Sequence, residues 1–147
     1  MAGDRDRVPL EADYALALGR AVFIFAKLEW SAINCCERIV PNSFHALPFR
    51  EKTGRKLAKK LINLAAALPP SLRKELYIAA AEFDRLRKER NKLLHVQPGS
   101  AADGAQRLIR DGVPWEVPTI DAVADAFTVC NDRLVALREK LPPPQIP

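Results

Sequence analysis

Three proline breaks cut this chain into four long amphipathic segments, and that division constrains its fold more than any other feature. Pro41-Asn42 follows the first segment, Pro69-Pro70 the second and Pro98-Gly99 the third. Proline lacks a backbone N–H and disfavours helical geometry in the residue before it, so each break ends a helix. Between the breaks, apolar residues recur every three or four positions. Residues 10–40 carry Tyr14, Leu18, Ala21, Phe25, Leu28, Ala32, Cys35 and Ile39, and residues 53–68 carry Leu57, Leu61, Leu64 and Leu68. Residues 72–96 carry Leu72, Leu76, Ala79, Phe83, Leu86, Arg90 and Leu93, with Ser71 placed to cap them. Residues 119–141 carry Ile120, Val123, Phe127, Cys130, Leu134, Leu137 and Leu141, with Thr119 as the cap and Asp121 at the positive helix end. Each stripe predicts a helix that buries one face. Four such helices with short connections predict an all-α, antiparallel up-down four-helix bundle.

Two segments lie outside the helices. Residues 41–52 read as a loop anchored by Phe44, Leu47 and Phe49, and residues 97–105 as a small-residue flexible loop. Asp111-Gly112, between Leu108-Ile109 and Val113, predicts a short β-hairpin inserted between helices three and four. Pro114 restricts it to an edge ribbon. The 147 residues suit one domain, with residues 1–8 and 142–147 as mobile tails. A second apolar stripe on helix one, Leu16, Phe23 and Trp30, calls for a further buried contact, inside the protomer or in a dimer.

The three cysteines, Cys35, Cys36 and Cys130, all fall in apolar helical stretches. That placement predicts reduced, packed thiols and a cytoplasmic location. With two histidines and no metal-ligand spacing, neither a metal nor another cofactor is expected. The most apolar run, residues 21–26, is too short to span a bilayer and no signal peptide is visible, so no membrane partner is expected.

The net charge of +5 leans toward an anionic partner. The cations are clustered. One group is Arg50, Lys52, Arg55, Lys56, Lys59 and Lys60, and the other is Arg85, Arg87, Lys88, Arg90 and Lys92. Either can be a solvated helix face. The expected RNA contacts are Lys56, Lys59 and Lys60 from the first, and Arg87, Lys88 and Lys92 from the second.

The second group surrounds Arg90-Asn91-Lys92-Leu93-Leu94-His95, at the end of helix three. Arg90 occupies a seam position where an apolar residue is expected. At about 100° per residue, Arg90, Asn91, Leu94 and His95 form one strip. Arg90 is a permanent fork of donors suited to phosphate. An imidazole exchanges protons near neutral pH. Asn91 can orient the ring or a ribose hydroxyl. Together they suit RNA cleavage by its own 2′-OH, in which a base removes the hydroxyl proton and a cation stabilises the phosphorane. One helix supplies only one histidine, so an acid and a base on opposite sides of the phosphate require a two-fold homodimer. The structural alternative is that His95 faces the helix dipole and Arg90 pairs with a core carboxylate.

Glu29 is the second anomaly, with Val22, Phe25, Ala26, Ile33 and Cys36 as its helical neighbours. A carboxylate in that setting needs a cation, and Arg90 is the candidate. The pair fits a structural role or a supporting catalytic one. His45 sits in the loop and reads as solvated, while Trp115 on the hairpin either packs the ribbon down or stacks on a base.

Arg90-Asn91-x-x-x-His95 at the end of a third helix resembles the Arg-x4-6-His signature of HEPN (higher eukaryotes and prokaryotes nucleotide-binding) domains. Phe25-Ala26-Lys27-Leu28-Glu29 is similar to a recurrent first-helix pattern in that family. The resemblance spans roughly residues 10–141. It implies a dimeric all-α domain with metal-independent endoribonuclease activity, Arg90 and His95 catalytic, and Asn91 as the polar residue after the arginine. It also implies a toxin or phage-defence role and a cognate antitoxin partner. Some toxin branches carry a tyrosine two residues after the histidine, where a partner modifies it. Gln97 stands there in this chain. Two other readings stand beside it: a non-catalytic nucleic-acid or nucleotide-binding module that uses the same basic surface, and a helical interaction protein of the antitoxin or immunity kind.

Overall fold

The computed structural model describes residues 8–143, so the segments expected to be mobile lie almost wholly outside the described residues. Among the described residues four helices form: α1 (Ala12–Ile39), α2 (Gly54–Ala65), α3 (Pro70–Leu94) and α4 (Val117–Lys140). A single 3₁₀ turn, Phe49–Glu51, precedes α2. Three short strands, β1 (Gln97–Ser100), β2 (Gln106–Arg110) and β3 (Val113–Pro114), separate α3 from α4. The helix stripes read from the sequence are the buried ones. Tyr14, Ala21, Phe25, Leu28, Ala32 and Cys35 of α1 meet Leu76, Phe83, Leu86, Phe127, Cys130 and Leu134 in one core.

The helix starts differ from expectation in two places. Pro69 and Pro70 open α3 as N-cap and first residue, so Ser71 lies inside the first turn and does not cap. The fixed φ of proline suits a helix start, where its missing N–H has no intrahelical partner anyway. The same holds at α4, where Pro118 sits in the first turn behind Glu116, and Thr119 is already helical. At α2 the side chain of Thr53 does cap, accepting the Lys56 N–H at 3.3 Å.

The helices do not alternate in direction along the chain. Tyr14 meets Trp115, Phe25 meets Phe127, Ser31 meets Asn131 and Cys35 meets Leu134. These pairs rise together, so α1 and α4 run parallel, where an up-down order makes them antiparallel. Gly54 starts α2 beside Glu29, and Ala67-Leu68 reach Ile39-Val40, so α2 also follows α1. Only α3 runs against the others, with Glu75 beside Lys140 and Ala79 beside Cys130.

The connection after α1 explains the difference. The Glu37 carboxylate accepts the N–H groups of Asn42, Phe44 and His45 at 2.6, 2.8 and 2.9 Å. Asn42 takes a left-handed φ of 62°, and Phe44 plugs into the core. The chain therefore folds back along α1 before α2 begins. Leu47 is partly buried, as expected of an anchor, but Phe49 is 92% exposed and anchors nothing.

The strands form one antiparallel sheet in the order β1-β2-β3. Asp111 and Gly112 make the expected turn, with φ of 51° and 76°. The segment expected to be a flexible loop instead contributes β1, with Gln97 opposite Ile109 and Ser100 opposite Gln106. Pro98 is tolerated there because β1 is an edge strand. Tyr14 ties the sheet to α1: its hydroxyl donates to the Trp115 carbonyl at 2.8 Å and accepts the Leu108 N–H at 3.0 Å. Arg107 covers the Tyr14 ring at 4.6 Å and pairs with Glu116 at 3.1 Å and Glu11 at 3.5 Å.

Candidate functional site

Arg90 points from α3 toward α1. Its guanidinium lies 4.7 Å from the centre of the Phe25 ring, and Nη2 is 3.8 Å from Glu29 Oε2. That separation is a loose ion pair and too long for a hydrogen bond. Nε is buried with no partner. An arginine carries five N–H donors, and this one is held mainly by the face of an aromatic ring. Glu29 is half-buried. Burial lifts its carboxyl above the usual glutamate range, and the nearby Arg90 charge only partly opposes this.

His95 is the residue at which α3 ends. Its backbone N–H closes the last turn on the Asn91 carbonyl at 2.9 Å, and its own backbone leaves helical geometry. The side chain is exposed, and among the described residues the ring makes no hydrogen bond. Asn91 and Lys92 are half-buried on the same turn. The helix end thus presents an accessible imidazole beyond a guanidinium recessed against Phe25.

The two basic groups behave differently. In the α3 group four of the five cations, all but Arg90, have a carboxylate one turn away. Arg85 pairs with Glu82 at 2.7 Å and Lys92 with Glu89 at 2.8 Å. Arg87 and Lys88 share Asp84, at 2.6 and 3.2 Å. Burial raises the Asp84 carboxyl, but the hydrogen bonds and charges of Arg87 and Lys88 outweigh it and hold the group below its usual range. On α2 the exposed Arg55, Lys56 and Lys59 and the half-buried Lys60 have no carboxylate within ion-pair distance among the described residues.

A groove of about 510 Å³ runs between these helices, lined by Arg55, Lys59, Arg87, Lys88 and Asp84 together with Ala58 and Ile62. It therefore unites Lys59 with Arg87 and Lys88, three expected RNA contacts, and leaves Lys56, Lys60 and Lys92 outside its lining. Arg55 joins it without having been singled out as a contact, although its i,i+4 spacing from Lys59 marks one helix face. Gly54 lies beside Arg87 and Glu29, the carboxylate that meets Arg90. A Cβ there would lie 2.9 Å from Arg87 Cδ and 3.6 Å from Glu29 Oε2, so a larger residue at the start of α2 would press on the Arg87 side chain.

Other candidates fall away from the site. Trp115 is 9% exposed with its carbonyl bound to Tyr14, so it packs the ribbon down and is not open to a base. His45 is exposed, as expected, with its ring 6.2 Å from that of Trp30. Burial pushes the thiols of Cys35 and Cys36 up to about 12 and that of Cys130 to about 11, which makes them packing groups and poor nucleophiles. Among the described residues no three His, Cys, Asp or Glu side chains gather in a metal-binding group, and no helix is long and apolar enough to cross a membrane. Compared with family models, with curated proteins and with solved structures, the chain finds no match in any of the three.

Proposed function

We propose that this protein is a metal-independent endoribonuclease of the HEPN type, in which two copies bring their α3 ends together over RNA. The observation that carries this reading is an exposed His95 at the end of the same helix that holds a recessed Arg90 whose donors are largely unspent. In the proposed reaction His95 removes the 2′-hydroxyl proton. The freed oxygen attacks the adjacent phosphorus, and the 5′-oxygen leaves with a proton from the partner's His95. Arg90 donates to the phosphorane oxygens, and Asn91 orients the ribose or the ring. Glu29 and Phe25 hold the guanidinium in place. The four helices serve as a bundle that sets the two ends against each other, in a cytoplasmic toxin or phage-defence effector that a cognate antitoxin restrains.

The test is RNA incubated with protein in EDTA. Products ending in 2′,3′-cyclic phosphate are expected. His95→Ala, which removes both the base and the acid of the homodimer, is expected to slow cleavage by at least about 10²–10⁴-fold, the usual worth of one proton-transfer group, and Arg90→Ala to abolish it. Cleavage undiminished in His95→Ala overturns the mechanism. A second reading, a non-catalytic RNA-binding module, is favoured by one feature. The uncompensated cations lie on α2 and not around His95, so the surface best suited to bind RNA is not the end proposed to cleave it. RNA bound in EDTA and left intact by the dimer supports that reading.

A further inference from the structure

Resting on the RNA-directed reading above, we propose that the groove between α2 and α3 is the track for the RNA backbone, and that Arg55 and Lys59 are its principal phosphate ligands. The chain's charge pattern alone favours α3, where the cations surround the histidine. The geometry reverses that ranking. Arg87 is clamped by Asp84 through both Nε and Nη2, at 3.0 and 2.6 Å, and Lys88 is bound by the other oxygen of the same carboxylate. Two cations sharing one anion leave a single net positive charge, and the Arg87 donors that would reach a phosphate are already spent on Asp84. Arg55 and Lys59 face the groove from the opposite wall, exposed, with no carboxylate partner among the described residues.

The shape fits the same occupant. Small-molecule sites are mostly apolar and enclosed, whereas five of the seven residues lining this open groove are charged, with Ala58 and Ile62 as its apolar members. Phosphate contacts position a nucleic acid without reading its sequence, and a two-walled basic channel suits that task. The groove is also continuous with the proposed reaction centre. Arg87 touches Gly54, Gly54 borders Glu29, and Glu29 meets Arg90. From Lys88 to His95 is seven residues of α3, about 10 Å along the helix axis, a reach of a few nucleotides. A strand laid in the groove therefore leads to His95.

The experiment measures binding of a short labelled single-stranded RNA across a salt series, with His95→Ala as background so that binding is read without cleavage. Adding R55Q/K59Q to that background is expected to weaken affinity at least about tenfold at low salt. It is also expected to lower the slope of log affinity against log salt by about 1.4, two contacts at about 0.7 each for a single strand. A control, R133Q/K140Q, removes the same charge from α4, and its slope is expected to stay unchanged. Circular dichroism melts verify that both variants fold. Equal losses in the two double variants mean that net charge and not the groove drives binding, which overturns the proposal. Unchanged binding in R55Q/K59Q also overturns it and leaves the ribonuclease reading intact. No binding by the His95→Ala parent, even at low salt, ends both.

Discussion

Burial and charge pull the Glu29 carboxyl in opposite directions, and burial wins. A carboxyl whose folded-state value is raised binds its proton more tightly in the folded protein. Its contribution to stability is therefore complete below the ordinary glutamate value of 4.5 and is lost as pH rises through the folded value. Glu29→Gln is thus expected to be at least as stable as the wild type at neutral pH and to match it in acid. The gain is expected to stay under about 1 kcal/mol, because Glu29 and Arg90 are both partly solvated. Thermal melts at several pH values check it. A loss of more than about 1 kcal/mol at neutral pH would show that the Arg90 attraction dominates. The partnership itself was legible in the sequence, since Glu29 and Arg90 are charges set among apolar helical neighbours, and such groups seek each other. Phe25 was not. An aromatic residue on a core stripe gives no sign that its ring also seats a guanidinium.

At the scale of elements, the sheet depends on one hydroxyl. Tyr14 bonds both to the Trp115 carbonyl and to the Leu108 N–H, joining α1 to the start of α4 and to the middle strand. Tyr14→Phe leaves a donor and an acceptor without their partner in a site that is 1% exposed. The expected cost is about 1–3 kcal/mol, a fall in melting temperature of roughly 2–4 °C for each kcal/mol in a chain this long. Hydrogen exchange is expected to show the Leu108 amide losing protection before the helical core does. Unaltered exchange at Leu108 would mean that Arg107 and its two glutamates hold the sheet by themselves. The sequence showed the hairpin, because Asp-Gly between β-forming residues has a local cause. It did not show β1. Pro98, Gly99 and Ser100 have weak strand preference, and they pair because β2 offers an unfilled edge. The helix caps failed similarly: Ser71 and Thr119 are good capping residues, but the prolines beside them start the helices earlier.

For the molecule as a whole, helix direction was the property hardest to read. Stripes of apolar residues state that four helices share a core, but not which way each one points, because a stripe looks the same from either end. The direction of α2 is set by the Glu37-bound turn and the returning loop, which act through backbone groups that the side-chain pattern hardly records. One sequence feature keeps its meaning through this change. Leu16, Phe23 and Trp30 all lie on the outer face of α1, at 57, 66 and 57% exposure, so the second buried contact they call for is not inside the protomer. A stable dimer buries about 800 Å² per partner, and a helix of 28 residues, about 42 Å long, offers a surface of that order. The proposed two-histidine mechanism needs such a contact, so F23E/W30E is a decisive variant. Both positions are solvent-facing, and the core behind them is untouched, so the fold is expected to survive. Light scattering is expected to show the wild type as a dimer and the variant as a monomer. Cleavage in EDTA is expected to vanish, while RNA binding through the α2–α3 groove persists in each protomer. A monomeric variant that still cleaves at the wild-type rate would place acid and base within a single chain. Because His95 is the one histidine at the end of α3, and His45 stands on the returning loop beside Trp30 and away from Arg90, the search for a second proton carrier would then move to Glu29, which meets Arg90.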